Sequence, residues 1–99
     1  MSTPVVLEKP LYTAVATATS GRDGRVKSDD GILDLQVVPP KALGGSGAPG
    51  TNPEQLFAAG WSACFEGAIG LAARKRKIAL PAELAIDAEL EVDVREAPL

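Results

Sequence analysis

The chain has no histidine, one cysteine, one tryptophan, one tyrosine and two phenylalanines in its 99 residues. The missing histidine excludes a Ser-His-Asp triad and a Cys-His pair. It also removes the common zinc sites, which need several Cys or His ligands. An all-oxygen cation site would need carboxylates spaced along one loop, and no loop here has that spacing. A lone cysteine forms no internal disulfide, which points to a cytoplasmic protein. No uninterrupted run of 18 apolar residues occurs, so no membrane span is expected. The first ten residues carry Glu8 and Lys9 and lack the apolar stretch of a signal peptide. The net charge of −3 gives nucleic acid and anionic membrane little to attract them. Chemistry is left to Cys64, the carboxylates, and the Arg and Lys side chains.

What is present fits one domain over residues 1–99: 45% of residues are apolar, enough for a modest core. Leu11–Thr19 is rich in β-branched residues in rough alternation and predicts a strand. Ser20 to Arg25 reads as a turn with glycines at Gly21 and Gly24, and Arg25–Ser28 as the start of a return strand. Asp29-Asp30-Gly31 is a second turn signal. Ile32–Val38 is a third strand, stopped by Pro39-Pro40. Residues 41–51, with Gly44, Gly45, Gly47, Pro49 and Gly50, form either a flexible connector or a loop that closes over a site.

A helix then begins with a clear signature. Asn52 suits the N-cap, Pro53 the first helical position, and Gln55 the third position of a capping box. Glu54 falls in the first turn, where the helix dipole favours a carboxylate. Leu56–Ala73 is dominated by Ala, Gly, Leu and Ile. Its small residues predict a central helix packed closely on both sides, with a bend at Gly60 or Gly70 where helix propensity is weakest. Arg74-Lys75-Arg76-Lys77 ends the helix. These cations complement the C-terminal dipole; as a nucleic-acid patch they would lack an aromatic platform. Ala85–Val94 alternates cleanly, with Ile86, Ala88, Leu90, Val92 and Val94 on one side and Asp87, Glu89, Glu91 and Asp93 on the other. That predicts a strand with one wet and one buried face, whose free edge would need covering.

Cys64 has a bland reading and a chemical one. A lone helical cysteine is commonly a small core hydrophobe. To act as a nucleophile it needs a cation to stabilise the thiolate, because it lies too far from the helix N-terminus for the dipole to serve. Without histidine that cation is Arg or Lys. Arg22, in its glycine-flanked turn, is a reasonable source, and Glu54 could hold its guanidinium through a bidentate pair. Glu54 and Cys64 stand ten residues apart, about 15 Å along a straight helix. Either the helix breaks, for instance at Gly60, or one of the groups comes from a second chain.

The segment Thr51-Asn52-Pro53-Glu54-Gln55-Leu56-Phe57-Ala58-Ala59-Gly60-Trp61-Ser62-Ala63-Cys64-Phe65 closely resembles the active-site helix of the organic hydroperoxide resistance (Ohr/OsmC) family. Tyr12-Thr13-Ala14, Gly21-Arg22-Asp23-Gly24, Leu43-Gly44-Gly45, Lys77-Ile78 and Leu80-Pro81 match in the same order. The resemblance runs from about Leu7 to about Glu96. It implies an α+β fold with N-terminal antiparallel strands, a long central helix and a further C-terminal strand, assembled as an intertwined homodimer. It implies a thiol-dependent peroxidase in oxidative-stress defence, which reduces organic hydroperoxides to alcohols. The residue matching Cys64 attacks the peroxide, the one matching Arg22 stabilises the thiolate and orients the substrate, and the one matching Glu54 anchors that arginine. No bound cofactor or metal is implied.

The family also implies a second cysteine, in a Val-Cys-Pro-like stretch, that resolves the oxidised thiol as a disulfide. Dihydrolipoyl groups on lipoylated proteins then reduce it. This chain has no second cysteine, which leaves a competing reading: a non-catalytic or redox-sensing domain whose thiol oxidises once. A third reading, a ligand-binding domain, would require an apolar pocket near Trp61 and Phe65. Those aromatics would otherwise be core, or would shield the thiol and accept an acyl tail.

Overall fold

The structure, a computed structural model, describes residues 9–92. Three strands, β1 (Ala16–Thr19), β2 (Gly24–Ser28) and β3 (Asp34–Val37), form an antiparallel sheet in the order 1-2-3. Thr19 faces Arg25 across the first pair and Lys27 faces Asp34 across the second. The β1–β2 connection is tight because Ser20 (φ 63°) and Gly21 (φ 60°) both adopt the left-handed conformation. Glycine does this freely and serine at a cost. The β2–β3 turn is held by Asp30, which accepts from the Ser28 hydroxyl and the Ile32 N–H.

The strands are shorter than the β-branched runs suggest. Ladder pairing of β1 begins at Ala16, opposite Ser28. Beyond Ser28 the partner strand turns away, so Leu11–Thr13 find no ladder partner among the described residues. The third strand is likewise trimmed to Asp34–Val37. Val37 and Val38 at its end are buried.

The connector after β3 starts with a single 3₁₀ turn, Lys41–Leu43, closed by Gly44 at φ 90°. Its far end returns to the sheet. Thr51 bridges Val37 in parallel: its N–H donates to the Gln36 carbonyl at 2.8 Å, and its carbonyl accepts from the Val38 N–H at 2.8 Å. Gly50 makes this approach possible, because a Cβ there would stand 2.5 Å from Val38 Cγ2.

The long helix, α1 (Pro53–Lys75), starts where the capping signature places it. Asn52 is extended, and its Oδ1 accepts the Gln55 N–H at 2.8 Å. The box closes differently from expectation. The Gln55 side chain accepts the Thr51 hydroxyl at 2.9 Å and makes no bond back to Asn52. The helix does not break at Gly60 or Gly70: α1 runs continuously through both. Its end is marked by Lys77 in the left-handed conformation (φ 57°), with the Ile78 N–H reaching back to the Ala73 carbonyl at 2.9 Å. This is the Schellman arrangement, with lysine where glycine is usual.

Two expectations are corrected. The helix was expected to pack on both sides, but among the described residues only Ala73 of α1 is buried. Phe57 is 62% and Trp61 50% exposed. Around Gly60, Gly67 and Gly70 the described residues leave open space, and α1 is tied to the sheet side at its N-terminal end. By length and composition alone such a helix could also cross a bilayer, since the one charge breaking its apolar run, Glu66, does not offset the rest. Core helices share that composition. The second correction concerns the expected strand Ala85–Val94. Residues 85–92 join no sheet, and residues 93 and 94 lie outside the described residues. The period-two pattern survives in burial only as far as Glu89: Leu84, Ile86 and Ala88 are half-buried and Ala85, Asp87 and Glu89 exposed, but Leu90 and Val92, expected on the buried face, are exposed. Alternation directs side chains, but a strand also needs a backbone partner, and the segment finds none among the described residues.

Candidate active site

The β1–β2 turn brings Arg22 to the start of α1. Its Nη2 donates to both carboxylate oxygens of Glu54, at 2.8 and 2.9 Å. The pairing of these two residues follows the sequence reading; its form does not. One nitrogen spans both oxygens, where a fork-on-fork pair would use two. The guanidinium offers five N–H donors. Glu54 engages those of Nη2 and leaves Nε–H and the Nη1 protons to face elsewhere. The Arg22 side chain is 50% exposed and that of Glu54 21%. The Glu54 carboxyl is held below the usual carboxylate range, first by its own backbone N–H at the helix start and then by Arg22.

Cys64 lies elsewhere. Among the described residues it is a free, exposed thiol in the middle of α1. With the helix unbroken, it stands about 15 Å along the axis from Glu54. A single chain therefore joins two of the three expected site residues and holds the third apart. One turn before Phe65, Trp61 stacks on that ring with centroids 5.0 Å apart and planes 8° from parallel. The Ser62 hydroxyl is spent on the Ala58 and Ala59 carbonyls, at 2.8 and 3.1 Å, and is not free to serve the thiol. An open, mostly apolar cavity of about 310 Å³ lies between Phe57, Ala58 and Trp61 on α1 and residues Asp87–Leu90. That is the lower end of the size range of small-molecule sites; Cys64 does not line it. Thr51, which fastens the helix start to β3, was not singled out from sequence. Its signal was there, immediately before a cap residue and after a glycine.

The family model for OsmC-like proteins matches residues 44–98, more than half of the chain, and the chain belongs to that family. Several of the curated proteins it is similar to are organic hydroperoxide resistance proteins. It is 54% identical over 85 residues to the one from Xanthomonas axonopodis pv. citri (strain 306), a match covering 86% of this chain and 60% of the relative. It is 50% identical over 74 residues to OhrB of Bacillus subtilis (strain 168), covering 75% of this chain and 54% of the relative. Among solved structures, the organic hydroperoxide resistance protein OsmC of Legionella pneumophila superposes with a TM-score of 0.80 at 44% identity, over 90% of this chain and 64% of that one. The fold is thus the α+β fold of these proteins. The chain spans 54% to 60% of the length of the two curated relatives.

Proposed function

We propose that the chain is a cytoplasmic thiol-dependent peroxidase that reduces organic hydroperoxides in oxidative-stress defence. The observation that carries this reading is the Arg22–Glu54 pair at the start of α1. A guanidinium fixed by one nitrogen, with further donors unspent, is suited to hold a thiolate and a peroxide oxygen together. The relatives' name, organic hydroperoxide resistance protein, supplies the substrate class.

In the proposed reaction, the Cys64 thiolate attacks the distal peroxide oxygen. The S–O bond forms as the O–O bond breaks, and the alkoxide takes a proton and leaves as the alcohol. Cys64 is left as a sulfenic acid. A dithiol, with protein-bound dihydrolipoyl groups as the family precedent, returns the thiol, becoming a disulfide and releasing water. Glu54 anchors Arg22, and the apolar cavity beside Trp61 receives the alkyl part of the substrate. The continuous helix supports a two-chain site: Glu54 and Cys64 stand ten residues apart on it, about 15 Å, so Arg22 held on Glu54 of one copy would meet Cys64 of a second copy in a homodimer. The dimer also covers the exposed aromatic face of α1.

The test is consumption of cumene hydroperoxide with a dithiol present. Cys64→Ser should abolish it and Arg22→Ala should slow it by about 100-fold, the loss typical when one preorganised donor is removed. Equal consumption by the Cys64→Ser protein would end the proposal, and an active protein that sediments as a monomer would end its two-chain form. A single cysteine in the chain favours a second reading, one oxidation of Cys64 without turnover. Sustained cycling with dihydrolipoamide would reject that reading.

A further inference from the structure

The Arg22–Glu54 pair is part of a closed mechanical circuit. Arg22 hangs from the turn between β1 and β2, and β2 is laddered to β3. The end of β3 holds Thr51 by two backbone hydrogen bonds of 2.8 Å, one from the Thr51 N–H to Gln36 and one from Val38 N–H to the Thr51 carbonyl. The Thr51 hydroxyl then donates to Gln55 Oε1 at 2.9 Å, and the Gln55 N–H donates to Asn52 Oδ1 at 2.8 Å. Glu54, between Asn52 and Gln55, closes the circuit on Arg22. Little else among the described residues ties the helix to the sheet.

We propose that Thr51 is a positioning residue for the Arg22–Glu54 pair: its backbone fixes the start of α1 to β3, and its hydroxyl sets the rotation of the first helical turn that aims the Glu54 carboxylate at Arg22. The hydroxyl matters separately from the backbone. The backbone bonds fix where the helix begins, while the bond to Gln55, four residues on, fixes which way its first turn faces. A glutamate carried off by a small rotation of that turn would leave Arg22 to swing with its own flexible stem. The guanidinium would then no longer be preorganised toward a thiolate.

This inference rests on the proposed peroxidase reading for its catalytic consequence, but not for its geometry, so two readouts are used. The first is the titration of Glu54, followed by carbon NMR of its carboxyl in the full chain. In Thr51→Val, which keeps the β-branched shape and loses the hydroxyl, the Glu54 midpoint moves up toward the ordinary carboxylate range. In Thr51→Ser, which keeps the hydroxyl, it stays with the wild type. A Thr51→Val titration that superimposes on the wild type overturns the positioning claim, whatever the protein catalyses. The second is the pH profile of cumene hydroperoxide consumption. It moves to higher pH by about one pH unit in Thr51→Val, a tenfold lower rate on the acid side, and returns in Thr51→Ser. A Thr51→Val protein that melts at a lower temperature but keeps the wild-type pH profile has lost stability alone, and this too overturns the claim. If Cys64→Ser consumes peroxide as fast as wild type, the peroxidase reading falls, and the Glu54 titration still decides the role of Thr51.

Discussion

Gly50 offers the most direct test of how the helix start is attached. Replacing it by alanine adds one methyl group at a point where the backbone passes close to β3. The new Cβ would lie 2.5 Å from Val38 Cγ2, 3.1 Å from Val38 Cβ and 3.1 Å from the Gln36 carbonyl oxygen. Val38 is only 6% exposed, so it has little room to move. Overpacking of this kind costs about 1–3 kcal/mol. Val38→Ala alone should cost about 1.5 kcal/mol, from the two methyl groups removed from burial. The double variant removes Cγ2, the atom that the added methyl group strikes. Its loss should therefore be smaller than the two single losses together, with a coupling of about 1 kcal/mol or more. Urea unfolding of the four proteins measures the cycle. Amide exchange at Thr51 gives a local check, since its N–H bond to Gln36 should open first in Gly50→Ala. Strict additivity, or Gly50→Ala as stable as wild type, would refute the close approach and with it the attachment of α1 through Thr51.

Lys77 holds a left-handed conformation that costs a non-glycine residue roughly 1–2 kcal/mol, so Lys77→Gly should raise the melting temperature, with a gain of about 0.5–1 kcal/mol once glycine's greater unfolded freedom is counted; a fall in melting temperature would contradict the helix end described. The carboxylates leave stability unchanged from pH 8 to pH 5, because their ordinary values lie below that interval. Below that it should decline. Asp34 is held low by the Arg25 hydrogen bond, Glu54 by its own N–H and Arg22, and Asp30 by the Ser28 hydroxyl. Groups depressed on folding contribute fully above their unfolded values near pH 4, and the contribution is lost as pH falls through their lower folded values. Thermal melts across pH 3–8 check this, and a rise in stability on acidification below pH 4 would contradict it.

Local signals in the sequence are sufficient where they are also the whole cause. Asn52 and Pro53 start α1 because capping is decided within four residues. The turn glycines and the Pro39-Pro40 stop bound the sheet for the same reason. The meeting of Arg22 with Glu54 was also legible, because without histidine a thiol needs an Arg or Lys, and the glycine-flanked turn put Arg22 on a short tether. Two things were not legible. Whether residues 85–92 form a strand depends on a backbone partner supplied from elsewhere, and alternation is silent on that. The covering of α1 is equally non-local: small residues announce that something approaches closely, not what. Thr51 was missed because its role is relational. Its hydroxyl has meaning only once the returning connector sets it between β3 and Gln55.

The stacked Trp61 and Phe65 have a use of a different kind. Trp61 is the chain's one tryptophan, so intrinsic emission excited at the red edge has a single origin. That origin lies one helical turn from Cys64 and borders the apolar cavity. A sulfenic acid formed on the neighbouring thiol, or a hydrocarbon tail entering the cavity, changes the polarity around the indole directly. The molecule therefore carries its own optical reporter, and stopped-flow fluorescence can follow the fate of the thiol without any attached dye.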